Sequence, residues 1–337
     1  MRVEIKEQKD SYEINIKKGI INSCGKYINH AGKCIIVTDS GVPEQYIKTV
    51  SEQINCAGVY TFPKGEKNKN LKTLTKILDE MQNLNLNRGD FAVAIGGGVV
   101  GDITAFASSI YMRGIDFYNI PTTFLAMVDS SIGGKTGIDY NGIKNSIGTF
   151  HQPRKVLSDP NVLQTLSKRQ YLQGLCESIK MFALFSKEDF EYLENTKPSK
   201  YDLDFIINES CSQKCDIVMK DTKEKNLRML LNFGHTLGHG IEESCGGKLL
   251  HGECVGLGMI AMTDGETKER IIKLLEKLHL PVKAKFDIDK TIELVTHDKK
   301  STSEGVKCVV LNEIGDYEII VKGRKELYDR LKTVSED

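Results

Sequence analysis

No stretch of this 337-residue chain stays apolar for long enough to cross a bilayer, so no membrane partner is expected. Neither sign of charge is in excess: Lys plus Arg and Asp plus Glu both number 46, for a formal net charge of zero. Polyanion binding usually needs a basic excess or patch, and neither is visible, so no nucleic-acid partner is expected. The nine cysteines follow no regular framework, and their odd number leaves no complete pairing. Reduced thiols in a cytoplasmic protein are expected instead. Cys211 and Cys215 lie four apart without a second pair, which reads as core or surface packing rather than a zinc cluster. The first residues, Met1 to Lys6, alternate like a strand and lack the apolar core of a secretory signal. Internal repeats and low-complexity linkers are also missing.

What is present suits two domains, each able to bury its own core. Apolar residues make up 40% and charged residues 27%, an ordinary globular balance. Residues 1–20 read as two strands. Cys34–Val37, Ala57–Phe62 and Phe91–Ile95 are short apolar runs of the kind that form buried parallel strands, and a helix is expected between the last two, over about 70–85. Strands alternating with helices imply a parallel sheet covered on both faces. Beyond about residue 155 the period becomes helical, with Leu172, Leu175, Ile179, Phe182 and Ala183 on one stripe. Val306–Leu311 and Tyr317–Val321 flank a turn and read as a hairpin. The expected division is an α/β domain over 1–153 and a mostly helical domain over 154–337.

Three clusters carry chemistry. Gly96-Gly97-Gly98-Val99-Val100-Gly101-Asp102 follows a strand and precedes a helix expected over Ile103–Tyr111. Glycines there let main-chain N–H groups approach a phosphate at the positive end of the helix. The spacing of Gly96, Gly98 and Gly101 matches the dinucleotide pattern, although no acidic residue stands at the usual ribose position. The second cluster, Pro121 to Gly137, is rich in hydroxyls and glycine and contains Lys135. With Lys144 and Asn145 nearby, it suits an anionic ligand.

The third cluster is the most informative. Arg228, Asn232, His235 and His239 are spaced 4, 3 and 4, which on one helix puts them on one face among apolar neighbours. A buried polar row must be satisfied, and a ligand or metal would do so. His251 follows twelve residues after His239. His-x-x-x-His on a helix can place two nitrogens on one divalent cation, and Glu177 is a candidate third ligand. From spacing alone it stays open which two of His235, His239 and His251 bind metal. The charge run Asp298-Lys299-Lys300 would ordinarily be a solvated face, and His30, His279 and Cys308 read as structural.

Taken in order, Gly96–Asp102, Pro121–Thr136, Lys144–Pro153, Glu177–Lys180, Leu231–Glu242 and His251–Met259 resemble the 3-dehydroquinate synthase family of sugar-phosphate cyclases. The resemblance spans about residues 36–320. It implies a nucleotide-binding α/β domain with a parallel sheet and a mostly α-helical, metal-binding C-terminal domain, with the active site between them. The implied reaction turns 3-deoxy-arabino-heptulosonate 7-phosphate into 3-dehydroquinate and phosphate on the shikimate route to aromatic amino acids. The implied cofactors are NAD and a divalent metal, Zn or Co.

Carried over residue by residue, the resemblance gives the metal to Glu177, His235 and His251 and makes His239 an acid–base group. Glu224, Lys135 and Asn145 would join it in catalysis. Substrate would be held by Arg113, Asp129, Lys135, Asn145, Lys180, Lys214, Arg228, Asn232, His239 and Lys300. NAD would touch Asp39, Glu66, Lys69, Gly97, Gly98, Val99, Asp102, Thr122, Thr123, Lys144 and Thr165. Arg113 resembles an arginine that reaches a neighbouring subunit, which implies a homodimer. The chain departs from the family pattern at Gly41, Ile143, Gln173, Cys176 and Ser178, and it is shorter between Met262 and Pro281. Other sugar-phosphate cyclases, a metal-dependent polyol dehydrogenase and a non-catalytic NAD-binding module are the rival readings.

Overall fold

The computed structural model describes residues 1–5, 10–221, 227–297, 301–302 and 305–336. They divide into two compact units. Met1–Ser167 with Leu203–Cys215 make the first, and Lys168–Asp202 with Asp216–Asp337 make the second.

The first unit is built on strands β1 (Arg2–Ile5), β2 (Asp10–Ile16), β3 (Cys34–Asp39), β4 (Cys56–Phe62), β5 (Phe91–Gly96), β6 (Asp116–Pro121), the pair β7 (Lys135–Tyr140) and β8 (Ile143–Phe150), and β9 (Lys155–Ser158). Seven of them form one sheet in the order β1-β2-β9-β6-β5-β3-β4. All its neighbouring pairs are parallel except β1 with β2. The apolar runs Cys34–Val37 and Phe91–Ile95 are fully buried because helices cover both faces of central parallel strands. β4 differs from that expectation. It is parallel but at the edge, so its side chains alternate and Val59 is 43% exposed. The period change near Pro153 also falls short of the unit boundary at Ser167, because β9 pairs with β2 and β6 inside the sheet.

Helices α1 (Glu44–Ser51), α2 (Leu71–Asn83) and α3 (Gly98–Ile110) connect these strands. Leu74, Ile77 and Met81 of α2 and Val100, Ile103 and Ala107 of α3 share a core with Ile35, Val37, Ala92 and Ala94. The chain leaves β3 for β4 in one direction and β5 for β6 in the other. The carboxyl ends of β3 and β5 therefore flank a topological switch point, the place where open α/β sheets bind ligands. Asp39 ends β3, and Gly96 ends β5. α3 begins at Gly98, five residues before the expected start at Ile103, because Gly97 caps it in extended geometry and lets the strand turn at once into helix.

The second unit is mainly helical: α4 (Lys168–Phe185), α5 (Lys187–Asn195), the end of α6 (Leu203–Lys220), α7 (His235–Ser244), α8 (His251–Ala261), α9 (Gly265–Lys277), α10 (Ile288–His297) and, after the strands, α11 (Arg324–Lys332). A small antiparallel sheet, β10 (Ser301–Thr302), β11 (Gly305–Glu313) and β12 (Asp316–Lys322), contains the expected hairpin. α7 and α8 pack backbone to backbone: a Cβ on Gly258 would stand 1.9 Å from the carbonyl oxygen of Gly234. That approach packs the start of α7 against the later turns of α8, while Gly238, one turn on in α7, meets Cys254 in the first turn of α8.

Candidate active site

In the first unit the N-terminus of α3 carries no side-chain cap. Its leading N–H groups are free to meet an anion, and the helix dipole favours one. Around it stand residues expected to hold the nucleotide. The Lys69 Nζ is 2.5 Å from an Asp102 carboxylate oxygen and 2.5 Å from the Asn145 side-chain oxygen. Glu66 comes within 4.0 Å of the same ammonium. Burial works against the Lys69 charge, but Asp102 and Glu66 outweigh it and hold the group above the usual lysine range. Asn145 sits at φ 51° and donates its main-chain N–H to Asp139 at 2.8 Å. Asp139 in turn donates its main-chain N–H to the Lys69 carbonyl, so the β7–β8 pair is tied to the loop before α2.

Thr122 and Thr123 follow β6. The Thr122 N–H donates to the Gly96 carbonyl, and the Thr123 hydroxyl accepts from Ala126. Gly97, Gly98 and Val99 are half-buried at the turn. The Asp39 carboxylate accepts from the Gly41 N–H at 2.7 Å, and burial raises its pKa. Thr165 contacts the Tyr46 hydroxyl at 3.2 Å. Lys135 and Lys144 are exposed, as is Arg113 at φ 70°. Lys214 is buried, with its Nζ 2.6 Å from both the carboxylate and the main-chain oxygen of Asp129.

In the second unit four expected residues converge. Glu177, on the buried side of α4, is 1% exposed. Its Oε1 lies 3.4 Å from the His235 Nε2 and 3.6 Å from the His251 Nε2, and its Oε2 lies 2.6 Å from the Lys180 Nζ. The ring of His239 is 5.2 Å from that of His235 and 5.5 Å from that of His251. One nitrogen from each of the three imidazoles falls within 4.8 Å of the others. His235 is buried, His251 half-buried and His239 exposed.

The electrostatics suit a cation. Neither Glu177 oxygen has a well-formed hydrogen bond within the protein. A buried carboxylate needs positive charge beside it; Lys180 supplies one such charge at Oε2, and Oε1, facing the two imidazoles, is where a cation would supply another. Burial pushes the Glu177 carboxyl up, but Lys180, His235 and His251 more than reverse this and hold it well below its usual range. Burial and Lys180 hold His235 well below the ordinary imidazole value. Burial likewise lowers His251, but Glu177 and Glu242 reverse the effect and raise it to about 10. The donor set of one carboxylate and imidazole nitrogens fits Zn or Co.

One expectation is corrected. Arg228, Asn232, His235 and His239 do not share a continuous helix. Leu227–Asn232 is a 3₁₀ segment, and α7 starts at His235 after Gly234, whose φ is 74°. The break turns the chain so that His235 opens a new helix. Its Nδ1 lies 3.1 Å from the Phe233 carbonyl oxygen and its Nε2 points towards Glu177. Arg228 is buried in the 3₁₀ segment, and the Lys180 Nζ donates to the Leu231 carbonyl at 2.9 Å. Asn232, half-buried, ends the segment. Glu224 and Lys300 lie outside the described residues.

The sequence reading missed Glu242. Its carboxylate lies 3.0 Å from the His251 Nδ1. It also missed the clamp from Arg169 to Glu253, in which both guanidinium contacts are 2.7 Å. Glu242 stands three residues after His239, but nothing in that spacing says that it meets His251 across a loop.

Family comparison decides the class. Residues 59–173 match the family model 3-dehydroquinate synthase N-terminal, and residues 174–301 match 3-dehydroquinate synthase C-terminal. The chain belongs to the 3-dehydroquinate synthase family. A 3-dehydroquinate synthase from Streptococcus thermophilus is 38% identical over 338 residues, covering 94% of this chain and 95% of the relative. Among solved structures, a 2-deoxy-scyllo-inosose synthase complexed with carbaglucose-6-phosphate, NAD+ and Co2+ is 25% identical. It superimposes with a TM-score of 0.87, over 96% of both chains. A 2-epi-5-epi-valiolone synthase from Streptomyces hygroscopicus with NAD+ and Zn2+ bound shares the fold, at 24% identity and a TM-score of 0.88 over 96% of this chain and 97% of the other. The two matched 3-dehydroquinate synthase segments carry the glycine turn at Gly96–Asp102 and the Glu177, His235 and His251 group, one in each. Among the described residues, no helix is long and apolar enough to cross a membrane.

Proposed function

We propose that this chain performs the reaction of its family, converting 3-deoxy-D-arabino-heptulosonate 7-phosphate into 3-dehydroquinate and phosphate, with NAD and a divalent metal as cofactors. The observation that carries it is the buried Glu177 carboxylate facing the Nε2 atoms of His235 and His251 in a chain that matches both family models. When bound, NAD supplies reversible oxidation of a ring alcohol and the cation supplies Lewis-acid polarisation.

The protein's own groups do the rest. Glu177, His235 and His251 hold the cation, and Lys180, beside Glu177, offsets the carboxylate charge. His239, exposed beside this group, moves a proton, with Glu224, Lys135 and Asn145 as further catalytic groups. Arg113, Arg228, Lys135, Lys180, Lys214 and Lys300 bind carboxylate and phosphate through charge-assisted hydrogen bonds. Asp129, Asn145, Asn232 and His239 bind hydroxyls. The Gly97–Gly98 turn receives the NAD pyrophosphate at the start of α3. Asp39, Glu66, Lys69, Val99, Asp102, Thr122, Thr123, Lys144 and Thr165 surround the rest of the nucleotide.

Gly97→Val tests the nucleotide half. A Cβ there would stand 3.1 Å from the Thr123 methyl, and the branched chain would cover the N–H groups of α3. NAD affinity is expected to fall at least ~10-fold, which is about 1.4 kcal/mol. Fluorescence titration of NAD reads the loss, and unchanged affinity would place the nucleotide elsewhere.

A cytoplasmic homodimer completes the proposal. Exposed Arg113, in left-handed backbone geometry and flanked by Met112 at 48% exposure and Ile110 at 42%, supports a subunit contact on this face. The deciding experiment for the reaction is phosphate release from the heptulosonate phosphate with NAD and zinc, while absorbance follows NADH. Phosphate release without NADH accumulation, lost on chelation, is the expected result. Net NADH from a polyol would make the chain a dehydrogenase. Phosphate from a different sugar phosphate alone would make it another cyclase.

A further inference from the structure

An imidazole presents either nitrogen to a cation, and the choice is set by what the other nitrogen bonds. In this site the two buried-side imidazoles are oriented by different means. His235 opens α7 and its Nδ1 is held by the Phe233 carbonyl, two residues away along the chain. His251 opens α8, and its Nδ1 is held by a carboxylate from another helix, Glu242 of α7.

The main chain around His251 is fixed separately. Arg169 of α4 grips Glu253 through its Nε and Nη2, each at 2.7 Å, and donates to the Lys248 carbonyl at 2.8 Å. Glu253 accepts the Leu250 N–H at 2.8 Å, and the Gln173 side chain accepts the Gly252 N–H at 3.2 Å. These bonds set the position of the first turn of α8. They leave the His251 ring free to rotate about its own side-chain bonds. Behind the ring stands Glu242, and in front of it, 3.6 Å from Nε2, stands Glu177.

Resting on the cation reading above, we propose that Glu242 is a positioning residue. It fixes the tautomer and the rotation of His251, so that Nε2 rather than Nδ1 meets the cation. Because α7 also carries His235 and His239, the same carboxylate locks the ring of α8 to the helix that bears the other two imidazoles.

The test uses the metal-free full chain titrated with Co2+ against a chromogenic chelator, with the visible absorption of bound Co2+ recorded alongside. Glu242→Ala and Glu242→Asp, whose shorter carboxylate no longer reaches Nδ1, are each expected to lower Co2+ affinity ~10–100-fold and alter the visible spectrum. Glu242→Gln keeps an oxygen that accepts from Nδ1–H, and it is expected to hold the parent spectrum and most of the affinity. Melting curves establish which variants are folded, and any folded one of the three carries the test. Parent affinity in the folded alanine or aspartate variant would overturn the proposal. So would a glutamine variant as weak as alanine, because charge rather than orientation would then be the cause. A folded parent that binds no Co2+ fails the cation reading itself, which is a different result from a parent that binds while its alanine variant binds equally well.

Discussion

Replacing His235 by alanine is expected to remove the divalent cation and with it at least ~10³-fold of the activity, the scale on which losing an electrostatic stabiliser of the reacting oxygen acts. His239→Ala should keep the cation and slow turnover by ~10²–10⁴-fold, as losing a general acid–base group does. The contrast follows from position. His235 is buried, opens α7 and points its Nε2 at the Glu177 carboxylate, 3.4 Å away. His239 is one helical turn further on and exposed, and its ring is edge-on to that of His235. Metal content of the purified variants, measured beside phosphate release, separates the two. Metal lost from His239→Ala but kept in His235→Ala would reverse the assignment. Loss in both would make all three imidazoles ligands, an arrangement that their mutual 4.8 Å reach allows.

Glu177→Ala is expected to be the most damaging single change, because it harms both cation and fold. Lys180 is 1% exposed, and its Nζ lies 2.6 Å from Glu177. Without the carboxylate the ammonium keeps one carbonyl partner, Leu231, and no anion at that distance. A buried charge stripped of its partner costs about 3–5 kcal/mol. The double variant Glu177→Ala with Lys180→Met removes both charges and should recover most of the stability while still failing to bind metal. Thermal melts and metal analysis of the two variants together check this. A single variant as stable as the parent would mean that Lys180 takes its stability from the 3₁₀ segment and not from Glu177.

Much of the fold is legible in local pattern. The runs Cys34–Val37 and Phe91–Ile95 become buried central strands, because a strand covered on both faces needs apolar side chains pointing both ways. Ala57–Phe62, which reads as a strand of the same kind, lies at the sheet edge, and the local pattern of that run does not report how many neighbours it will have. The glycine run after β5 marks the turn into α3, but the start of that helix moves earlier once Gly97 caps it. Spacing also brings His235 and His239 together. It misreads Arg228 and Asn232 as sharing their helix, because Gly234 breaks the helix at a positive φ that the period cannot register.

By itself, the sequence determined which residues are present for chemistry: a glycine run after an apolar strand, a glutamate on an apolar-striped helix, three histidines within seventeen positions, and a charge balance without bias towards polyanions. These are properties of residue type and short spacing, which the chain states directly. Only the tertiary structure decided which atoms meet. It set Glu177 between His235 and His251 across three helices, joined Lys69 to Asp102 and Asn145 from separate segments, and put Glu242 behind His251. The reason is that such contacts depend on helix crossings and on close approaches such as Gly258 against Gly234. Those are set by packing over the whole unit and not by any local run of residues.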